Sequence, residues 1–115
     1  MENALRMALL FDFYGPLLTD RQQDVFQMYF HEDLSLGEIG EEQGVSRQAI
    51  YDILKRTGSI LEEFENKLGL VQRHQERQQL YGDLLALIEL CYQDGESSPH
   101  LTAMEEKILK ARQTS

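Results

Sequence analysis

Between Ser35 and Thr57 the chain carries two helix starts separated by one tight turn, and this pairing restricts the possible folds more than any other feature. Ser35 with Glu38 three residues on is a capping box, and Leu34 and Ile39 occupy the hydrophobic-staple positions around it. Gly44 falls where a chain leaving the first helix needs a positive φ, and Ser46 supplies a second N-cap flanked by Val45 and Ile50 as a second staple. Leu36, Ile39, Val45, Ile50 and Ile53 are spaced to close a small core between two crossed helices, with Gly40 small enough to permit close approach. The pattern is a helix-turn-helix.

Helical patterning continues on both sides of the motif. Residues 3–14 give a helix that is apolar on nearly every side (Leu5, Met7, Leu9, Leu10, Phe11, Phe13, Tyr14), which must be sandwiched, in the core or against a second copy of the chain; core is the simpler reading. Gly15-Pro16 breaks it, and Thr19 with Gln22 forms the next capping box. Gln22, Val25, Phe26 and Tyr29 then make an amphipathic face suited to pack on the motif. The second motif helix shows no end at Thr57: Ile60, Leu61, Phe64 and Leu68 carry its spacing through Gly58, so one helix is expected from about 46 to 67.

Gly69 ends or bends that helix, and another follows with Leu80, Tyr81, Leu84, Leu85, Leu87, Ile88 and Cys91 as its apolar part. The polar run from Gln72 to Gln79 projects into solvent or bridges to a partner. Asp94 to Pro99 reads as a loop, after which Thr102 and Glu105 cap a short last helix whose final residues fray. With β-branched runs missing, the expected class is all-α: a helix-turn-helix bundle with an extended second motif helix and C-terminal helices. The expected division is a helix-turn-helix domain over residues 1–70 and a helical extension over 71–115. The extension either folds back on the same domain or forms a homodimer interface, and the sequence does not choose.

Charge limits the function. The formal net charge is -9, from 20 acidic and 11 basic side chains, whereas tight nucleic-acid binders usually present a basic surface to phosphate. An acidic surface fits solubility or docking on a basic partner better than autonomous DNA binding. Cys91 is the lone cysteine, so no intrachain disulfide forms. The apolar run Met7 to Phe11 is preceded by Glu2 and broken by Asp12, so neither a signal peptide nor membrane insertion is expected, and a cytosolic location follows.

In a helix-turn-helix the early exposed residues of the second helix read a groove. With Ala49, Ile50 and Ile53 turned inward, the outward set is Ser46, Arg47, Gln48, Tyr51, Asp52, Lys55 and Arg56. Arg47 and Gln48 suit bidentate contacts with guanine and adenine edges, and Lys55 and Arg56 suit phosphates. Against this, Ser35 to Thr57 holds four acidic residues (Glu38, Glu41, Glu42, Asp52) and three basic ones, so a motif used for packing or protein docking is as well supported as one that reads DNA. His31, His74, His100 and Cys91 lack metal-ligand spacing, no phosphate-cradling glycine loop occurs, and no cofactor or enzymatic activity is expected.

Two resemblances attach to these residues. Leu18-Thr19-x-x-Gln22-x-x-Val25, Ser35-Leu36-x-x-Ile39-Gly40 and Val45-Ser46-x-x-x-Ile50 resemble region four of bacterial sigma factors, which reads promoter DNA. Adding Leu10-Phe11-Asp12-Phe13-Tyr14-Gly15, Leu17-Leu18-Thr19, Asp33 to Ile39, Val45 to Ala49, and Tyr51-Asp52 with Lys55-Arg56-Thr57, the first half of the chain resembles the YlxM family. These are small bacterial helix-turn-helix proteins whose gene typically lies beside that of the signal-recognition-particle GTPase. The resemblance implies a component or regulator of the signal recognition particle acting through its GTPase, its small RNA, or both. It carries over Ser46, Arg47, Gln48, Tyr51, Lys55 and Arg56 as the candidate surface for nucleic acid or partner. One departure is Gly40, where Ala is expected and where Gly should loosen the first helix slightly. The alternative from another class is a sequence-specific DNA-binding transcription regulator.

Overall fold

The computed structural model describes residues 3–114, all of whose regular structure is helical. The order is α1 (Ala4–Tyr14), a 3₁₀ turn (Gly15–Leu17), α2 (Asp20–Phe30), α3 (Leu36–Gln43), α4 (Arg47–Leu68), α5 (Leu70–Gln93) and α6 (Pro99–Thr114). Contacts divide the chain into two compact units, one reaching to Val71 and one beginning at Gln72.

In the first unit each helix starts where its cap dictates. Thr19 Oγ1 accepts from Gln22 N–H at 3.2 Å while Thr19 N–H donates to Gln22 Oε1 at 3.0 Å, and Ser35 and Glu38 repeat the exchange at 3.1 and 3.0 Å. α4 continues through Gly58 and stops at Gly69, which takes the left-handed conformation (φ 63°) and donates its N–H to Glu65 O at 2.8 Å. Gly69 therefore ends this helix.

The core lies along one stripe of α4. Ile50, Leu54, Thr57, Leu61 and Glu65 are buried on it, and α1, α2 and α3 all pack there with Leu10, Tyr14, Val25, Phe26 and Ile39. Phe26 stacks between Phe11 (4.7 Å) and Phe30 (4.3 Å), joining α1 to α2. Only part of α1 follows the sandwiched expectation: Leu10 and Tyr14 are buried and Met7, Leu9, Phe11 and Phe13 partly so, but Leu5, near the helix start, is 85% exposed.

One close approach explains a glycine in this unit. A Cβ at Gly40 would stand 2.7 Å from the Val45 carbonyl oxygen, so the turn of the motif closes onto that backbone. The Ala expected there has no room unless the turn yields; Gly40 is a packing requirement of this chain rather than a mere loosening of α3. At Gly58, where α1 crosses α4, a Cβ would make only an ordinary contact with Met7 Sδ at 3.4 Å.

The C-terminal end of α4 is held by a buried polar cluster. Tyr14 Oη donates to Glu65 Oε1 at 2.5 Å and accepts the Leu70 N–H at 3.0 Å, while Glu65 Oε1 also accepts the Val71 N–H at 3.0 Å. Two otherwise orphaned N–H groups at the start of α5 are thus satisfied from α1 and α4. Nearby, Arg6 forms a two-pronged pair with Glu62, at 2.7 and 2.8 Å.

In the second unit, six of the half-buried and buried residues of α5 (His74, Gln78, Tyr81, Leu85, Ile88, Tyr92) recur every three or four positions, with Gly82 and Cys91 half-buried besides, and Leu101, Glu105, Ile108 and Ala111 recur likewise on α6. Gln78 Nε2 reaches the Arg112 carbonyl at 3.2 Å, so one member of the polar run contacts α6, while Gln75, Glu76, Arg77 and Gln79 face solvent. α6 begins earlier than the Thr102–Glu105 reading places it. Ser98 Oγ accepts the Leu101 N–H at 3.2 Å, and Pro99, which has no N–H to leave unpaired, takes the first helical position. α6 runs to Thr114, and Ser115 lies outside the described residues.

Two outcomes test this packing. Gly40→Val forces a branched side chain into the Val45 backbone and lowers the unfolding free energy by about 2 kcal/mol or more, read by urea denaturation. The pH dependence follows from three groups. The bond from Arg6 holds the Glu62 carboxyl below its ordinary 4.5, and the Ser35 backbone N–H does the same for Glu38. Their stabilisation is present above pH 4.5 and is lost as pH falls through the folded values. Burial, with the bond to Glu65, raises the Tyr14 hydroxyl above 10.0, so its contribution is intact below pH 10.0 and is lost as pH rises through the folded value. Thermal melts across pH therefore show a plateau that falls at both ends.

Candidate nucleic-acid and partner interface

Once α4 has committed one stripe to the core, its first turns present the opposite side to solvent. Ser46, Arg47, Gln48, Tyr51, Asp52, Lys55 and Arg56 are all exposed, whereas Ile50 and Leu54 are buried and Ala49 and Ile53 are half-buried. The inward and outward sets assigned from spacing are the ones found.

The outward residues do not form a single patch. Arg47, Gln48 and Tyr51 gather with Leu36 of α3 around a shallow concavity of about 410 Å³. Lys55 stands one turn further on, at a groove of about 470 Å³ whose walls include Met7, Gly58, Glu62 and Glu63. Arg56 lies on the other flank of α4, where it meets Thr19, Arg21 and Gln22 of the α2 start around a third hollow of about 230 Å³. At 100° per residue Arg47 and Tyr51 share a side, Lys55 borders it, and Arg56 falls on the reverse.

Ser46 has the capping role its spacing predicts, and Gln48 and Asp52 have a bond that spacing alone does not give. Ser46 Oγ accepts the Ala49 N–H at 3.1 Å and so serves as the cap of α4. Gln48 Nε2 donates to Asp52 Oδ1 at 3.0 Å, an i,i+4 bond that uses one of the two amide N–H donors. Asp52 thus serves both as a charge inside the basic face and as the support of Gln48. Arg21, at the start of α2, is a second cation beside Arg56 that a reading confined to the motif passes over. Its position beside the Thr19 cap was the available signal.

The arrangement can offer a guanidinium, an amide, a phenol and an ammonium along one edge of a helix, which is hydrogen-bonding and stacking chemistry. Among the described residues no group of three or more His, Cys, Asp or Glu side chains could hold a metal ion, and no helix is long and apolar enough to cross a membrane.

Comparison with known proteins gives one consistent result. The model of the UPF0122 family, described as "Putative helix-turn-helix protein, YlxM / p13 like", matches residues 1–96. A UPF0122 protein of Thermoanaerobacter sp. (strain X514) is 47% identical over 109 residues, which cover 95% of this chain and 92% of that protein. A UPF0122 protein of Bacillus thuringiensis (strain Al Hakam) is 54% identical over 88 residues, covering 76% and 80% respectively.

The cap assignment separates structural from binding roles on this face. Ser46→Ala removes the acceptor for the Ala49 N–H and lowers stability by about 1 kcal/mol, while Ser46→Asp, which caps equally well, restores it; chemical denaturation of both variants checks this.

Proposed function

Because the chain belongs to the UPF0122 family of YlxM/p13-like helix-turn-helix proteins, we propose that it is a non-enzymatic accessory and regulatory protein of the signal recognition particle pathway. In this reading it works in the cytosol and engages the targeting GTPase, its small RNA, or their complex through the outward side of α4. The observation that carries the reading is the edge formed by Arg47, Gln48, Tyr51 and Lys55, exposed on a helix whose other side is taken up by packing, in a chain of net charge -9.

That combination favours a nucleoprotein over bare nucleic acid. Two cations on one edge provide few phosphate contacts, and each phosphate neutralised contributes to salt-dependent affinity, so weak, salt-sensitive binding to free RNA is expected. A complex that places basic protein beside RNA phosphate offers both signs of charge, one for the α4 edge and one for the acidic remainder. The identity of the partner comes from the family resemblance, and the chemistry of the face is compatible with it.

A second reading, a sequence-specific DNA-binding regulator, is favoured by one observation: Arg47 and Gln48 occupy the first turn of the second motif helix, where base edges are met in other helix-turn-helix proteins.

Pull-down with the purified GTPase, its RNA and the assembled pair discriminates between them. The first reading predicts capture at low salt, weakened on the order of tenfold by the double variant Arg47→Ala, Lys55→Ala. It also predicts tighter capture by Asp52→Asn, which removes a carboxylate from the face. No capture of any of the three sinks it. A single enriched motif from a random duplex pool, lost in Arg47→Ala, supports the second reading instead.

A further inference from the structure

α5 bears a second apolar stripe, apart from the side that follows the half-buried pattern of Tyr81, Leu85 and Ile88. Leu80, Leu84 and Leu87 are 54%, 38% and 59% exposed, and with half-buried Cys91 they repeat at intervals of four, three and four, the spacing of a coiled-coil seam. The stripe lies about a third of a turn around the helix from Leu85. We propose that it is a homodimer interface, in which α5 pairs antiparallel with α5 of a second copy of this chain.

The order of residues along the stripe selects the occupant and the register. If Leu84 meets Leu87 of the partner subunit, the same alignment sets Leu80 against Cys91 of the partner subunit, and symmetry repeats both pairs, so every seam residue finds an apolar neighbour. One layer further out, Arg77 comes level with Asp94 of the partner subunit at each end of the pairing. Asp94 N–H donates to Leu90 O at 3.0 Å, which continues the last turn and keeps Asp94 near the seam. Asp83, beside the stripe, falls next to Leu90 of the partner subunit rather than next to a second Asp83. Leu90 is itself 54% exposed, and this pairing covers it. A parallel pairing would bring Arg77 to Arg77 and Asp94 to Asp94, placing like charges together at both ends. The stripe is therefore self-complementary in apolar order and in charge only when antiparallel. This interface is separate from whatever the α4 edge binds, and either can fail without the other.

The test uses the full chain. Light scattering at micromolar concentration is expected to give twice the 13.4 kDa chain mass, and Leu84→Glu to give a monomer with unchanged helical circular dichroism. Under mild oxidation Leu80→Cys forms a covalent dimer through Cys91 of the partner subunit, whereas the parent chain, whose Cys91 faces Leu80, does not. Should Leu84→Glu fail to fold, the Leu80→Cys cross-link decides. A monomeric parent chain overturns the proposal, as it would if another protein or this chain's own first unit covered the stripe. So does a Leu84→Glu variant that stays dimeric, or a parent chain that cross-links as fast as Leu80→Cys.

Discussion

One stripe of α4, running from Ile50 through Leu54, Thr57 and Leu61 to Glu65, is the surface on which the first unit depends. α1, α2 and α3 all pack against it, so the direction of α4 decides which of its side chains remain outside. The far end of the stripe is polar, and the Tyr14 hydroxyl makes that tolerable by donating to the Glu65 carboxylate and accepting from the Leu70 N–H. A carboxylate this deeply buried is sustained by its hydrogen bonds, and here they come from a side chain on α1 and from the backbone at the start of α5. The cluster links the first helix to the corner at Gly69 and fixes where α4 stops.

Much of this was legible beforehand because the signals were local. Capping boxes at Thr19 and Ser35, the cap at Ser46 and the positive-φ glycine at Gly44 each depend on residues within a few positions, and the structure forms all four. The 3-or-4 apolar spacing through Gly58 likewise placed α4 as one helix. What escaped depended on distant partners. Glu65 is no part of the apolar spacing of α4, and its burial is explained only by Tyr14, brought beside it across 51 positions. Gly40 carries two expectations, a close approach and a slight loosening of α3, and the Val45 carbonyl 2.7 Å from its missing Cβ bears out the first. Two capping patterns lie four residues apart before α6, and the earlier one prevails because Pro99 has no N–H to satisfy.

The candidate site shows the same division. Which α4 residues face outward followed from helical period, but how they group did not. Arg47, Gln48 and Tyr51 share a hollow with Leu36, Lys55 lines a separate groove with Met7 and Glu62, and Arg56 belongs with Arg21 on the other flank. Electrostatics then qualifies the motif. Asp52 bonds Gln48 within the face, and Glu38, Glu41 and Glu42 are exposed on α3, so the field reaching a bare duplex is weak. A helix-turn-helix on an acidic body suits a partner that already supplies positive charge next to nucleic acid.

The most direct measurement of that claim is affinity purification of the intact protein from its native cell, with and without nuclease, reading both the proteins and the RNA that co-elute. The targeting GTPase and its small RNA are expected together in the untreated eluate, with recovery reduced when the RNA is digested. An eluate that lacks both under either condition, or that holds chromosomal DNA released by deoxyribonuclease alone, would contradict it.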